Sequence, residues 1–370
     1  MNIYKIGTNG IPAQHGGLET IVDNISVRLA KKGHNVTVYC RRRNIKTKEK
    51  YYSGVRLVKL PSFPLNSLET LSHTFFSLLH LLLFERNVDI IHFYGVGNSL
   101  FLPFLKLINK RTVIFIDGYD WERKKWNFAI RSYLKLMAKF AALFSDVVIA
   151  DSRYVKNFYD STYGVETSYL ANGPDIIKQE NETILDEFAL KKNSYILFVG
   201  RLVPEKRIEV LIEAYKKANL NNNIKLAIVG GSWFNNTYEE KIKKSAADNQ
   251  NIVFLGKVYG EAVLQLYKHA YIFIMTSEVE SASLALITAM GNGKCVIVNG
   301  IPQNKEVIGE AGFYYKENDS NELAALLKKL VQNPELAQTY GQKAMRRVAD
   351  HYDWDKTVDQ LISIYERILN

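Results

Sequence analysis

Cysteine is nearly missing from this chain. Two occur in 370 residues, Cys40 in the run VTVYC and Cys295 in KCVIV. Both runs are apolar and strand-like, so two buried, reduced thiols are expected, as in a cytosolic protein, rather than a disulfide framework. Long apolar runs are missing as well. The most apolar stretch, HTFFSLLHLLLF at 73–84, falls well short of the ~20 residues that span a bilayer. The amino end, MNIYKIG, has no basic segment ahead of an apolar core, so no signal peptide is expected. There is no GxGxxG, which weakens a dinucleotide reading. No His, Cys and Asp spacing argues for a metal, and His15 and His92 stand alone. No helix-turn-helix, zinc or RNP-like pattern appears, which disfavours nucleic acid as a partner. Tandem repeats and low-complexity tracts are absent too.

Excess negative charge is lacking in one half only. Residues 1–170 hold 24 Lys and Arg against 13 Asp and Glu, while residues 171–370 hold 24 against 25. The formal charge of +10 therefore belongs to the first half. A one-sided basic surface implies an acidic partner: anionic lipid, nucleic acid or a phosphorylated substrate.

Apolar residues make up 47% of the chain, enough for a packed core, and its length suggests two domains. The first half alternates strand and helix patterns. NIYKIG leads through a loop into LETIVDNISVRLAKKG, then NVTVYC, DIIHFYG, RTVIFID and DVVIADS follow. After LANGPDIIKQENET the style restarts with SYILFVGRL, RIEVLIEAYKKA, IKLAIVGG, NIVFLG, YIFIMTS, ALITAMGNG and KCVIVN. Strands alternating with helices imply βαβ units and parallel sheets. The predicted fold class is α/β, two doubly wound Rossmann-like domains over 1–172 and 173–354 with a cleft between them. The amphipathic segment DKTVDQLISIYERIL ends the chain. Ligands of such sheets bind outside the carboxyl ends of the strands, so the loops there are the places to look.

Three of those loops carry chemistry. NGIPAQHGGLET follows the first strand, and Gly16 and Gly17 lead into a helix whose free N–H groups suit an anion; a plain turn is the competing reading. VGRLVPEKRIEVLIEA opens the second half, with Arg201 and Lys206 beside a helix start. A guanidinium fork and a point charge suit a diphosphate, though a solvated pair would look the same. FIDGYDWERKKW gathers Asp117, Asp120, Glu122 and Arg123 among Tyr119 and Trp121, where a structural turn is again the alternative.

The ordered set FVGRLVPEKRIEVLIEAY, LAIVGGS, NIVFLGKVYGEAVLQLYKHAYIFIMTSE and AMGNGKCVIV resembles glycosyltransferase family 4, whose architecture is GT-B, two facing Rossmann-like domains. The first half, through GIPAQHGGLETIVDNISVRLAKKGHNVTVYCR and IDGYDWERKKWN, looks like the rhamnosyltransferase-like branch that builds bacterial surface polysaccharides such as capsule. The resemblance implies that the final helix, 355–370, packs back onto the first domain. It assigns Arg201 and Lys206 to a nucleotide-sugar diphosphate, the loop around Val258 to the base, and Glu280 to the donor sugar. Ser281, Ala282, Ser283 and Leu284 would offer backbone N–H groups near the phosphate, and Gly16 and Gly17 would border phosphate or acceptor. Glu278 is a spare carboxylate.

Thr288 departs from the family. A glutamate there usually holds the ribose hydroxyls, and a threonine hydroxyl makes fewer, uncharged bonds. A charge-assisted bond is worth roughly 1.5–3 kcal/mol against about 1 for a neutral one, so donor binding weakens by about tenfold. A thymidine donor lacks the 2′-hydroxyl and misses less. Asp117 is a candidate base or sugar contact. In a retaining enzyme, as the resemblance implies, the departing diphosphate is an alternative proton acceptor. No metal or other cofactor is expected.

Arg131, Lys135 and Lys139 recur every four residues in FAIRSYLKLMAKFAALF, sharing a helical face beside apolar neighbours. With 73–84 they suggest a surface resting on anionic lipid at the inner face of the cell membrane; two core helices with a solvated stripe are the rival. The expected function is transfer of a sugar, rhamnose at branch level, from a nucleotide-sugar to a glycan or polyprenyl-diphosphate-linked acceptor. A GT-B hydrolase or epimerase and a non-catalytic homologue, suggested by Thr288, are the alternatives.

Overall fold

The structure is a computed structural model that describes all residues except 15, 65, 124–125, 178, 221–222 and 233–236. The chain forms two compact units, one of residues 1–172 with 354–370 and one of residues 173–353.

In the first unit, eight strands form one sheet among the described residues: β1 (Asn2–Ile6), β2 (Asn35–Arg41), β3 (Tyr51–Tyr52), β4 (Val55–Leu60), β5 (Ile90–Tyr94), β6 (Thr112–Ile116), β7 (Val147–Ala150) and β8 (Ser168–Tyr169). Their order is β3-β4-β2-β1-β5-β6-β7-β8, and only β3 runs antiparallel to its neighbour. The central strands are buried end to end, which is why they read as continuous apolar runs rather than alternating ones. The edge β3–β4 is an element that the sequence patterns above do not include. Arg56 and Lys59 interrupt its apolar residues, and the ladder β2–β4 carries it nonetheless.

The helix Trp354–Leu369 closes this unit. Trp354, Val358, Leu361 and Tyr365 are buried along one stripe at helical spacing. It packs on the helix Gly17–Lys31, with Arg28–Asp355 at 3.2 Å and Lys32–Asp359 at 2.7 Å on the rim. Exposed pairs of that kind add little; burial of the apolar stripe does most of the holding. Beneath the stripe, the Tyr365 hydroxyl meets His92 Nδ1 at 2.6 Å. His92 is fully buried, so it is a core residue of this unit. His15 lies outside the described residues.

In the second unit, the six strands β9 (Tyr195–Val199), β10 (Lys225–Val229), β11 (Ile252–Gly256), β12 (Ile272–Met275), β13 (Cys295–Asn299) and β14 (Phe313–Tyr315) form a parallel sheet in the order β11-β10-β9-β12-β13-β14. The order turns around at β9 and β12: earlier connections move to one side of β9, later ones to the other. Such a reversal opens a crevice at the carboxyl ends of the two strands. Cys40 and Cys295 are both buried and free.

Tyr365→Phe should cost about 1–3 kcal/mol, because it leaves the buried His92 ring nitrogen without its partner. Urea unfolding of the two proteins measures this, and equal stability would show that the bond contributes nothing.

Candidate active site

The loops after β9 and β12 meet at the reversal in the second unit's sheet. Gly230 allows the close packing behind them: its φ is +142°, and a Cβ would lie 1.8 Å from the Gly200 carbonyl oxygen. After β9 the chain passes exposed Arg201 and buried Leu202, then makes a 3-10 turn at Pro204–Lys206. Arg207 follows with φ +50° and ends the turn just before the helix Ile208–Ala218. Two hydrogen bonds to backbone carbonyls clamp this loop to the one after β12. The Glu278 N–H donates to the Glu205 carbonyl at 3.0 Å, and the Thr276 hydroxyl donates to the Lys206 carbonyl at 2.6 Å.

These clamps bring side chains of opposite charge together. Lys206 Nζ forms an ion pair with Glu280 Oε1. Their side chains are only 14% and 13% exposed. Burial pushes the Glu280 carboxyl up, but the Lys206 ammonium, with help from Ser277 and the Arg201 charge, holds it below the ordinary carboxylate range. Glu278 turns to another cation: its Oε2 lies 3.5 Å from Arg207 Nε, and Arg207 Nη1 lies 3.1 Å from Glu209. Arg207 is a member of this cluster that the sequence patterns do not single out. It adjoins Lys206 in the chain, and its left-handed backbone is what turns it toward Glu278.

Ser281 and Ala282 are buried, and Ser283 and Leu284 half-buried, at the entry to the helix Leu284–Gly291. Thr288 lies inside that helix at 5% exposure. Its hydroxyl oxygen accepts the Asp175 N–H at 3.3 Å, and Asn292 Nδ2 bonds both the Asp175 and the Thr288 carbonyls. Thr288 thus pins the segment that enters the unit. Val258 is half-buried in the loop after β11, two strands from β9, outside the Lys206–Glu280 cluster.

In the first unit, Gly16 precedes the helix Gly17–Lys31 with φ +93°, and both glycines are exposed. A Cβ on Gly16 would sit 2.3 Å from Glu19 Oε2. The positive φ alone asks for glycine here, a reason that needs no ligand, while the Glu19 carboxylate end can swing aside. Asp117 ends β6 at 24% side-chain exposure. Arg123 bonds Asp120 at 2.8 Å and stands 3.9 Å from Asp117. Burial, then the Asp120 charge, push the Asp117 carboxyl up to about 6 against the pull of Arg123. Stacked Tyr119 and Trp121, ring centres 5.1 Å apart, are buried and anchor this turn.

One set of side chains among the described residues, Glu180, Glu182 and His269, is close enough to hold a metal ion. Lys192 lies 2.6 Å from Glu182 and Lys268 lies 3.1 Å from Glu180, so lysines already neutralise both carboxylates.

Comparison with known proteins follows these lines. Residues 180–347 match the family described as Glycosyl transferases group 1, and residues 1–175 match a domain of unknown function, DUF1972. An uncharacterized glycosyltransferase of Methanocaldococcus jannaschii is 27% identical, over 96% of both chains. O-antigen chain mannosyltransferase C of Escherichia coli is 23% identical, over 100% of this chain and 99% of its own. Among solved structures, Anabaena HepE in complex with UDP and glucose superposes with a TM-score of 0.81 at 18% identity, over 99% of both chains. That likeness establishes the fold.

Lys206→Met strands the Glu280 charge. At neutral pH it should cost about 2–4 kcal/mol, somewhat less than a fully buried pair because both side chains keep some exposure. Glu280's folded pKa is depressed, so the pair's contribution is present above the unfolded carboxylate value and disappears as pH falls through the folded one. Urea unfolding should accordingly show the deficit shrinking in acid, and Lys206→Met with Glu280→Gln should recover much of it. A deficit that ignores pH would contradict the assignment.

Proposed function

Given that the chain is a GT-B glycosyltransferase whose residues 180–347 match the group 1 family, we propose that its second unit binds a nucleotide-sugar and its first unit the acceptor. The protein acts in surface polysaccharide or glycan synthesis. The observation that carries the donor assignment is the Lys206–Glu280 pair, with Arg201 nearby, at the sheet reversal. Arg201 and Lys206 take the diphosphate, as fixed cations take any developing negative charge on a leaving group. Glu280 meets the sugar, held ionised by Lys206. Ser281, Ala282, Ser283 and Leu284 offer backbone N–H groups to the phosphate, Glu278 holds Arg207 in place, and Val258 edges the base. Nothing in this scheme calls for a metal or another cofactor.

The transfer retains the anomeric configuration in this reading, with the departing diphosphate close to the proton of the acceptor hydroxyl. Asp117 is the acceptor-side base or hydroxyl contact, and Gly16 and Gly17 border the phosphate or acceptor. A carboxyl titrating near 6 is largely ionised at pH 7 and still basic enough to take a proton. Thr288 favours a thymidine donor, and so rhamnose: its hydroxyl is engaged by Asp175, and a deoxyribose asks less of it.

The acceptor in this reading is a lipid-linked saccharide reached at the inner face of the cell membrane. No helix among the described residues is long and apolar enough to cross a membrane. The support is a set of exposed apolar side chains of the first unit, where Phe84, Leu107 and Phe128 are 71%, 82% and 86% exposed. Helix Phe128–Phe144 adds exposed Lys135 and Lys139 with Leu136 and Leu143, and contains no acidic residue. Apolar side chains ringed by cations suit an anionic bilayer.

Arg201→Ala and Lys206→Ala should each lower transfer by roughly 10- to 100-fold, the worth of one charge-assisted contact, while circular dichroism shows folded protein. Wild-type turnover in both would sink the donor assignment. Leu107→Ser with Phe128→Ser should reduce sedimentation with phosphatidylglycerol vesicles several-fold; equal sedimentation would remove the membrane from the account.

A further inference from the structure

We propose that Asn299 and Asn318 are positioning residues of the donor site: their side-chain amides tie together the loops that carry Lys206, Arg207, Glu278 and Glu280. The inference rests on the reading of that site as the place where the nucleotide-sugar binds.

Asn299 is the last residue of β13, the strand beside β12, and it is fully buried. A buried amide needs partners for both its N–H groups and its oxygen. Asn299 finds them in two different loops. Its Nδ2 donates to the Ser277 carbonyl at 3.1 Å and reaches the Thr276 carbonyl at 3.4 Å, at the start of the loop after β12. Its Oδ1 accepts the Asn318 backbone N–H at 3.1 Å, from the loop after β14. Its main chain is held as well, because its carbonyl accepts Nδ2 of the fully buried Asn304 at 3.0 Å.

Asn318 extends the tie. It is half-buried, with φ +60°, a left-handed conformation that asparagine adopts more readily than most residues. Its Oδ1 lies 3.4 Å from Asn299 Nδ2 and accepts Arg207 Nε at 3.3 Å. The same Arg207 nitrogen stands 3.5 Å from Glu278 Oε2. A circuit results. It leaves the loop after β12 at Ser277, passes through Asn299, Asn318 and Arg207, and returns to that loop at Glu278. Thr276 joins the circuit to Lys206, since its carbonyl meets Asn299 while its hydroxyl bonds the Lys206 carbonyl.

Neutral amides suit this task. They face carbonyls with donors and N–H groups with an acceptor, and they add no charge beside the Lys206–Glu280 pair. A carboxylate at 299 would set its oxygens against the Thr276 and Ser277 carbonyls and could donate to them only when protonated.

The test is calorimetric titration of the full chain with UDP, GDP and dTDP, with circular dichroism and urea unfolding to show that each variant is folded. Asn318→Gly keeps the left-handed backbone and removes the oxygen that holds Arg207. It should weaken binding of the diphosphate that the wild type takes by roughly three- to tenfold, the worth of one hydrogen bond. Asn318→Asp returns an acceptor oxygen to that place and should bind as the wild type does. Asn299→Asp should weaken binding at pH 8 and regain part of it relative to the wild type as pH falls and the new carboxyl takes up a proton. Wild-type binding by Asn318→Gly, or a loss in Asn318→Asp as large as in Asn318→Gly, overturns the inference alone, provided Lys206→Ala still binds weakly. So does a loss in folded Asn299→Asp that ignores pH. Wild-type binding by Lys206→Ala, or no binding by the wild type, overturns the donor site and this inference with it.

Discussion

The ion pair between Lys206 and Glu280 is the constraint around which the second unit is arranged. Two charges with so little exposure lose much of their hydration, and that loss can exceed what their attraction returns. An apolar pair would hold the loops at least as well. What the charges add is a cation and a carboxylate at a fixed separation, in the crevice where a parallel sheet reverses its strand order. The supporting parts follow. The 3-10 turn puts Lys206 at the rim, the Glu205 and Lys206 carbonyls fasten the loop after β12, and Arg207 keeps Glu278 from competing for Lys206. The crevice thus holds a cation and a carboxylate in fixed positions, as the proposed donor reading requires.

The first unit works with weaker fields and a tighter backbone. Burial and the neighbouring Asp120 charge keep Asp117 basic against the pull of Arg123. The loop after β1 is held by Glu19 and Asn9. In the proposed reading, a donor site that supplies charge and an acceptor site that supplies a basic carboxylate divide the labour of glycosyl transfer.

Much of this was legible in the chain. Ten of the strands announce themselves because burial on both faces makes short β-branched runs. The candidate phosphate cations, Arg201 and Lys206, stand out because they lie between a strand and a helix. Other features have no sequence signal. In the edge β3–β4, Arg56 and Lys59 interrupt the apolar run, and pairing with β2 holds it in place. Arg207 joins the site through a left-handed backbone that no residue type announces. The glycines at 16 and 17 look like a ligand cradle, yet Gly16 has a backbone reason of its own, a φ of +93° that only the folded loop reveals. Thr288 looks like a lost ribose contact; its hydroxyl is in use, holding Asp175.

Calorimetric titration of the purified protein with UDP, GDP and dTDP tests the central claim most directly. The account predicts that one diphosphate binds selectively, dTDP on the evidence of Thr288, that binding weakens as salt rises, and that Lys206→Met weakens it roughly 10- to 100-fold. No binding of any of the three to folded protein, or equal binding by Lys206→Met, would contradict it.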